Sequence, residues 1–244
     1  MKDKLLIAHR GAERIISENT IESILLAFKY GATHAEIDIR KTKDGKLVLF
    51  HDPITFRFDR RISFVSHTEM KYLEKLPLPK GGKITTLDNL LATMENTPGN
   101  LLIETKTLGL EEGIIKLVDK YNFWNRVIVW SLYERSIKIF TQLCGKKIKK
   151  AIFITLWPIL EKNILNKALK CGADFVYPVF RNLNIKFFEQ NGIGVIKRYK
   201  KENNARDFLE QGGAGIMTSN LSIIQNLAKD YNQNFTSFSP PIGK

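Results

Sequence analysis

Cysteine is almost absent. Cys144 and Cys171 are the only two in 244 residues, and each precedes a glycine at the end of a helical stretch. That count excludes a disulfide framework and a cysteine metal centre, and it predicts a reducing compartment. No apolar run approaches the roughly 18 residues of a membrane span, and the opening MKDKLLIAHR is too short for a signal sequence. These features predict a cytoplasmic protein without stable membrane insertion. Low-complexity segments and linkers are lacking too, so 1–244 reads as one domain. The dinucleotide fingerprint Gly-x-Gly-x-x-Gly is missing after the first strand, where HRGAER stands instead. GGAG at 212–215 comes before a strand and reads as a turn, which argues against a doubly wound nucleotide-binding sheet. Acidic residues are in deficit: 38 Lys+Arg face 25 Asp+Glu, giving +13. The lysines are spread along the chain, as on a solvated surface. Aromatics interleaved with Arg and Gly are not found, so no nucleic-acid partner is expected.

What is present is an alternation. Short apolar strands are predicted at Lys4–Ala8, Ala35–Ile39, Leu101–Glu104, Val127–Ser131, Ala151–Ile154, Asp174–Tyr177, Gly194–Lys197 and Gly215–Thr218. Each leads to an amphipathic helical stretch: Asn19-Thr20 caps a run ending at Gly31, and Thr86 opens LDNLLATMEN. Glu111–Tyr121, Glu134–Cys144, Pro158–Cys171, Asn184–Gln190, Asn203–Gln211 and Leu221–Tyr231 follow. Eight βα units in a chain of this length predict an α/β fold, a single (β/α)₈ TIM barrel. Pro53–Lys83, with three prolines and Gly81-Gly82, is expected to be a loop or small excursion over one barrel end.

The second strand runs into the stretch EIDIRKTKDGKLVLFHD, residues 36–52. Asp44-Gly45 predicts a two-residue I′ turn, which makes Lys46–Phe50 antiparallel to the second strand. That register would set Lys43 against Lys46, Lys41 against Val48 and Asp38 against His51. Glu36 and Asp38, two apart on a strand, share one face. The hairpin would thus gather two carboxylates and an imidazole within about 5–8 Å. Strand ends add more to the same rim: His9-Arg10 closes the first strand, and Glu104-Thr-Lys106 closes the third.

This set restricts the chemistry. Three carboxylates at one mouth repel one another unless a cation sits among them. Oxygen ligands alone select a hard ion, Mg²⁺ or Ca²⁺, over zinc. Two histidines beside such an ion suit proton transfer to a leaving group and from a nucleophile. Arg10 and Lys106 supply the fixed charge that a phosphate needs. The set predicts metal-assisted phosphoryl chemistry on a small anionic ester.

HRG at 9–11, ENT at 18–20, E-I-D at 36–38, KDG at 43–45, HD at 51–52 and E-T-K at 104–106 resemble the glycerophosphodiester phosphodiesterase family in order and spacing. The resemblance implies hydrolysis of glycerophosphodiesters to glycerol 3-phosphate and an alcohol. It implies that Glu36, Asp38 and Glu104 bind the divalent metal, that His9 and His51 are the acid/base pair, and that Arg10 and Lys106 hold the phosphate. A related barrel phospholipase acting on lysophospholipid at a membrane surface is the alternative, opposed by the lack of an amphipathic segment with aromatic anchors. The chain departs from the family late. KRYK at 197–200 stands where Trp-x-x-Asn is usual, with Tyr199 and the lysines as possible substitutes in gripping the alcohol or glycerol. Ala214 replaces an Asp, Thr218-Ser219 a Thr-Asp, and Ser17 a Pro before ENT. Glu18-Asn19-Thr20 is expected to be at least partly a helix cap, with Glu18 also orienting Arg10. Trp130 and Trp157 are expected in barrel packing and Trp124 in helix–strand packing. His34 and His67 are expected at the surface or in loops, and KKIKK at 146–150 in a solvated loop.

Overall fold

The structure is a computed structural model that describes residues 4–155, 160–179 and 182–231. Along the chain run β1 (Leu5–Ala8), α1 (Ile21–Lys29), β2 (His34–Lys41), β3 (Leu47–Leu49), α2 (Phe56–Asp59), α3 (Met70–Leu73) and α4 (Leu87–Met94). Then come β4 (Asn100–Thr105), α5 (Glu111–Lys120), β5 (Val127–Ser131), α6 (Glu134–Cys144), β6 (Lys149–Ile154) and α7 (Glu161–Cys171). The last elements are β7 (Phe175–Pro178), α8 (Ile185–Gln190), β8 (Gly194–Arg198), α9 (Glu202–Glu210), β9 (Gly215–Thr218) and α10 (Leu221–Tyr231).

Eight of these strands pair in parallel and close into a ring, with β1 hydrogen-bonded to both β2 and β9. This is the predicted (β/α)₈ barrel. Strand alternation divides its core in two. One face of each strand packs outward on the helices. The other fills the barrel with Ile7, Leu102, Ile128, Trp130, Ala151, Tyr177, Ile196 and Met217. Three of the helices, α1, α4 and α8, start where a short polar side chain satisfies a first-turn amide. Thr20 accepts from Ser23 N, Thr86 from Asn89 N and Asn184 from Phe187 N, each at 3.2 Å. Gly145 and Gly172 end α6 and α7 at positive φ, as the Cys-Gly pairs predict.

β3 is antiparallel to β2 and lies outside the ring, as expected, but in a different register. Ile39 faces Leu49, Arg40 faces Val48 and Lys41 faces Leu47. The turn therefore has three residues, not two. Thr42 N donates to Lys46 O at 2.9 Å, Gly45 N donates to Thr42 O at 3.0 Å, and among 43–45 only Gly45 has positive φ. The Thr42 hydroxyl accepts from Lys46 N at 3.0 Å and donates to Asp44 at 2.7 Å, which favours the longer loop with a glycine bulge. One residue of slip changes every partner. Phe50, not His51, lies opposite Asp38, donating its N–H to Asp38 O at 2.9 Å.

The excursion after β3 carries its own small core. Val48, Phe50, Val65, Leu73 and Ile84 are buried together, with Phe58, Met70 and Leu76 against them. Two other expectations change. His34 is buried as the first residue of β2, and burial pulls its imidazole down to about 4, so it is neutral at pH 7. Lys149 and Lys150 belong to β6, and Lys150 is buried with its ammonium on Gly145 O and Ile148 O. Trp130 packs inside the barrel and Trp124 against the helix–strand core, as expected, and His67 is exposed. Trp157 and the start of the helix expected at Pro158 lie outside the described residues.

Candidate active site

The mouth formed by the carboxyl ends of the strands begins at β1. Here the chain turns sharply through Arg10 (φ 51) and Gly11 (φ 76). Gly11 packs on α1 so closely that a Cβ would lie 2.6 Å from the Ser23 hydroxyl and 2.8 Å from its carbonyl carbon. Only glycine fits there. The turn aims Arg10 N at Glu36, donating to Oε2 at 2.9 Å. Its guanidinium meanwhile reaches Glu18 at 3.2 Å and Asp38 at 3.2 Å, so Glu18 does orient Arg10.

Glu36, Asp38 and Glu104 project into the barrel from β2 and β4, all buried, and offer ligand oxygens within 4.8 Å of one another. The structure thus brings together the three predicted carboxylates. Each is held by a protein donor on one oxygen: Glu36 by Arg10 N, Asp38 by Asn19 Nδ2 at 2.8 Å, Glu104 by Lys106 Nζ at 2.6 Å. Asp38 Oδ1 is buried and accepts no hydrogen bond, with only the Lys106 ammonium at 3.3 Å. Two cations face three carboxylates, and the imbalance shows in their acidity. Burial, reinforced by Asp38 and Glu104, pushes Glu36 well above the carboxylate range. Burial and Asp38 raise Glu104 as well. Against burial, Lys106 and Arg10 hold Asp38 below its ordinary value. Against burial again, Asp38 and Glu104 raise the Lys106 ammonium. A buried all-oxygen set, one positive charge short and with a carboxylate oxygen that accepts no hydrogen bond, fits a hard divalent cation.

The two histidines stand around this cluster, each tied to a carboxylate that the sequence reading overlooked. His9 Nδ1 lies 2.7 Å from Glu13 Oε1, and His51 Nδ1 lies 2.7 Å from Asp52 Oδ1. A carboxylate can only accept, so both imidazoles carry their proton on Nδ1 and are left with Nε2 for a reacting group. Asp52 had a signal in the His-Asp dipeptide; Glu13 had only its i+4 spacing from His9. Burial lowers His9 despite Glu13, while Glu13, hydrogen-bonded to His9 and Ser219, is brought down to about 2. His51 is fixed from behind by Arg40, whose guanidinium donates to His51 O at 2.8 and 2.9 Å. Asn19 clamps Asp38 twice, its Oδ1 also accepting Asp38 N at 3.0 Å.

The late departures sort by strand alternation. Tyr199 faces away from the mouth, its ring 5.4 Å from Phe208, and Lys197 bonds Asn182. Neither takes the place of the family aromatic. Arg198 reaches the mouth, with its guanidinium 2.8 Å from Ser219 Oγ and 3.4 Å from His9 Nδ1. Opposite, Trp130, Phe153 and Tyr177 form an aromatic wall with ring centroids 4.2–5.1 Å apart.

A family model, described as the glycerophosphoryl diester phosphodiesterase family, matches residues 9–152, more than half of the chain and every residue of this site except Phe153, Tyr177, Arg198 and Ser219. The chain belongs to that family. Its reaction class is hydrolysis of a phosphoric diester. Among curated relatives of the family, YhdW of Bacillus subtilis is 30% identical, over 87% of this chain and 93% of that one. A glycerophosphodiester phosphodiesterase of Caldanaerobacter subterraneus is 27% identical, over 92% and 98%. A phosphodiesterase of Oleispira antarctica, solved with sn-glycerol-3-phosphate, matches the family barrel with a TM-score of 0.76 at 20% identity, over 93% of this chain and 97% of that one.

Proposed function

We propose that the protein hydrolyses glycerophosphodiesters to glycerol 3-phosphate and an alcohol, using His9 and His51 for proton transfer. In this reading Glu36, Asp38 and Glu104 hold one Mg²⁺ or Ca²⁺, and Arg10 and Lys106 bind the phosphate. The observation that carries it is the pair of His–carboxylate contacts at 2.7 Å around a buried, underbalanced three-carboxylate cluster. The bound cation supplies Lewis-acid stabilisation of charge on the phosphoryl oxygens. The protein's residues do the rest. Arg10, held by Glu18 and Asp38, presents fixed positive charge that needs no reorganisation during the reaction. Lys106 adds a second charge. One imidazole, neutral, takes the proton of the attacking group on Nε2, and the other, as the imidazolium, gives its Nε2 proton to the departing alkoxide; Glu13 and Asp52 accept from Nδ1–H and orient the two rings.

The test is turnover of a panel of glycerophosphodiesters, followed by glycerol 3-phosphate release before and after thorough chelation. Release that stops with chelator and resumes with Mg²⁺ or Ca²⁺ supports the reading. Full turnover in the chelated enzyme refutes the cation's part. No release from any member of the panel refutes the substrate class.

A further inference from the structure

Twelve large apolar side chains are exposed among the described residues, and ten of them lie in segments joining a strand's mouth end to the next ring helix. The other two, Leu143 and Leu169, lie on α6 and α7. Chance exposure scatters apolar residues singly over a surface. Here they collect around the opening of the barrel, from loops far apart in the chain: Ile15 after β1, Leu108 after β4, Tyr133 after β5.

The stretch Phe56-Arg-Phe-Asp-Arg-Arg-Ile-Ser-Phe64 contributes most. Ile62 is 73% exposed, Phe64 51% and Phe56 43%. Its geometry is built rather than loose. Ile54 and Phe64 form an antiparallel bridge, and Thr55 N donates to Ser63 O at 3.0 Å. The Thr55 hydroxyl is 3.0 Å from Asp59 and 3.2 Å from Arg61 O, and Arg60 turns the chain at φ 60. The inner side packs Phe58 on Phe50, ring centroids 5.2 Å apart. The loop therefore satisfies its own hydrogen bonds and its own small core while holding Phe56 and Ile62 outward. Between these tips stand Arg60 and Arg61, both exposed and, among the described residues, in no salt bridge with a carboxylate. Asp59 is engaged by Thr55 and by Arg61 N.

We infer that this rim docks the protein on the surface of an anionic phospholipid bilayer, with the barrel mouth facing the lipid. Separate apolar tips with cations between them do not make the continuous, shape-matched patch that a protein partner requires. They suit a soft surface of dense negative charge, where the tips enter the acyl boundary and each arginine near the lipid phosphates adds about 1 kcal/mol. The net charge of +13 acts in the same direction. The contact is peripheral, and it does not depend on which ester the site hydrolyses.

The experiment is sedimentation of the full chain with vesicles of phosphatidylcholine alone and with about 30% phosphatidylglycerol, at about 0.15 M salt. Binding is expected to rise at least about fivefold with the anionic lipid. The double variant Phe56→Ser/Ile62→Ser is expected to lower it about tenfold, while turnover of soluble glycerophosphocholine stays unchanged. Arg61→Gln, a substitution at an exposed side chain, is expected to lose about fivefold on anionic vesicles only, and it keeps the test decisive if the double variant fails to fold. Equal binding to both vesicles, or folded variants that bind like the parent, would overturn the inference. So would a parent that ignores vesicles and forms a dimer that Phe56→Ser/Ile62→Ser dissolves, which would give the rim to a second copy of the chain.

Discussion

Around the half of the mouth built by β1, β2, β4 and the hairpin, almost every side chain is ionisable and almost every one is cross-linked. Arg10 ties Glu18, Glu36 and Asp38, and Lys106 ties Asp38 and Glu104. Past Glu104 the ring continues with its register neighbour Trp130, then Phe153 and Tyr177, which meet edge to face or tilted. The indole N–H of Trp130 is buried and finds no acceptor. The charged half fixes positions through many directional contacts, so reacting groups are placed before a substrate arrives. The aromatic half offers shape and desolvation with few directional demands. Chemistry should be sensitive on the first side, and selection among alcohols gradual on the second.

Removing a charge from the centre of the first half should break it most severely. Asp38→Asn keeps the size but removes the carboxylate on which Arg10, Lys106 and Asn19 converge. It should cost about 10³-fold in kcat/KM on glycerophosphocholine. A loss under tenfold in steady-state assays would make the cluster structural. Next come the histidines. His9→Ala and His51→Ala should each cost about 10²–10⁴-fold on a natural ester. Whichever residue is the acid should matter far less for a nitrophenyl ester, whose leaving group needs no proton. Parallel losses on both esters for both variants would exclude the division of labour.

Glu13→Gln sharpens the comparison from outside the carboxylate cluster. Burial already lowers His9, Glu13 opposes that, and removing the carboxylate lets His9 fall further. The limb of the pH–rate profile set by His9 should move to lower pH, whether His9 is acid or base, with about a tenfold fall in kcat. An unshifted profile would detach Glu13 from the reaction. On the aromatic side the effects should be smaller. Phe153→Leu should change KM by about threefold, in a direction that depends on the released alcohol, with kcat nearly unchanged. A collapse of kcat there would mean that the two halves are not separate in function.

The barrel and the seven proposed site residues were legible because each is local: a strand period, a strand end, a cap or a Gly. Cys-Gly helix ends and the Thr20 and Thr86 caps belong to the same class. What escaped depends on contacts between distant segments or on one hydrogen bond. The hairpin register turned on the Thr42 hydroxyl, which lengthened the loop by one residue and set Phe50 opposite Asp38. His34 reads as an ordinary surface histidine until the ring closes over it. Glu13 matters through Ser219, 206 positions away. The apolar rim could not be seen as an amphipathic segment because no single segment carries it; only the fold gathers Ile15, Ile62, Leu108 and Tyr133 at one opening. The Tyr199 expectation failed on strand parity alone, which sends Arg198 to the mouth instead.

β1 lies between β2 and β9, with four register pairs to β9 and two to β2. His9 N donates to Thr218 O at 3.0 Å, and Ser219 holds Glu13. The first proposed catalytic histidine is thus set in place by the last strand among the described residues. A ribosome adding about 5–20 residues per second needs on the order of ten to fifty seconds for this polypeptide. All seven proposed site residues have been incorporated by Lys106, yet the nascent chain cannot assemble a working mouth until β9 leaves the exit tunnel. A product truncated before β9 would carry the full set of proposed site residues without the strand that sets His9, and is expected to lack activity.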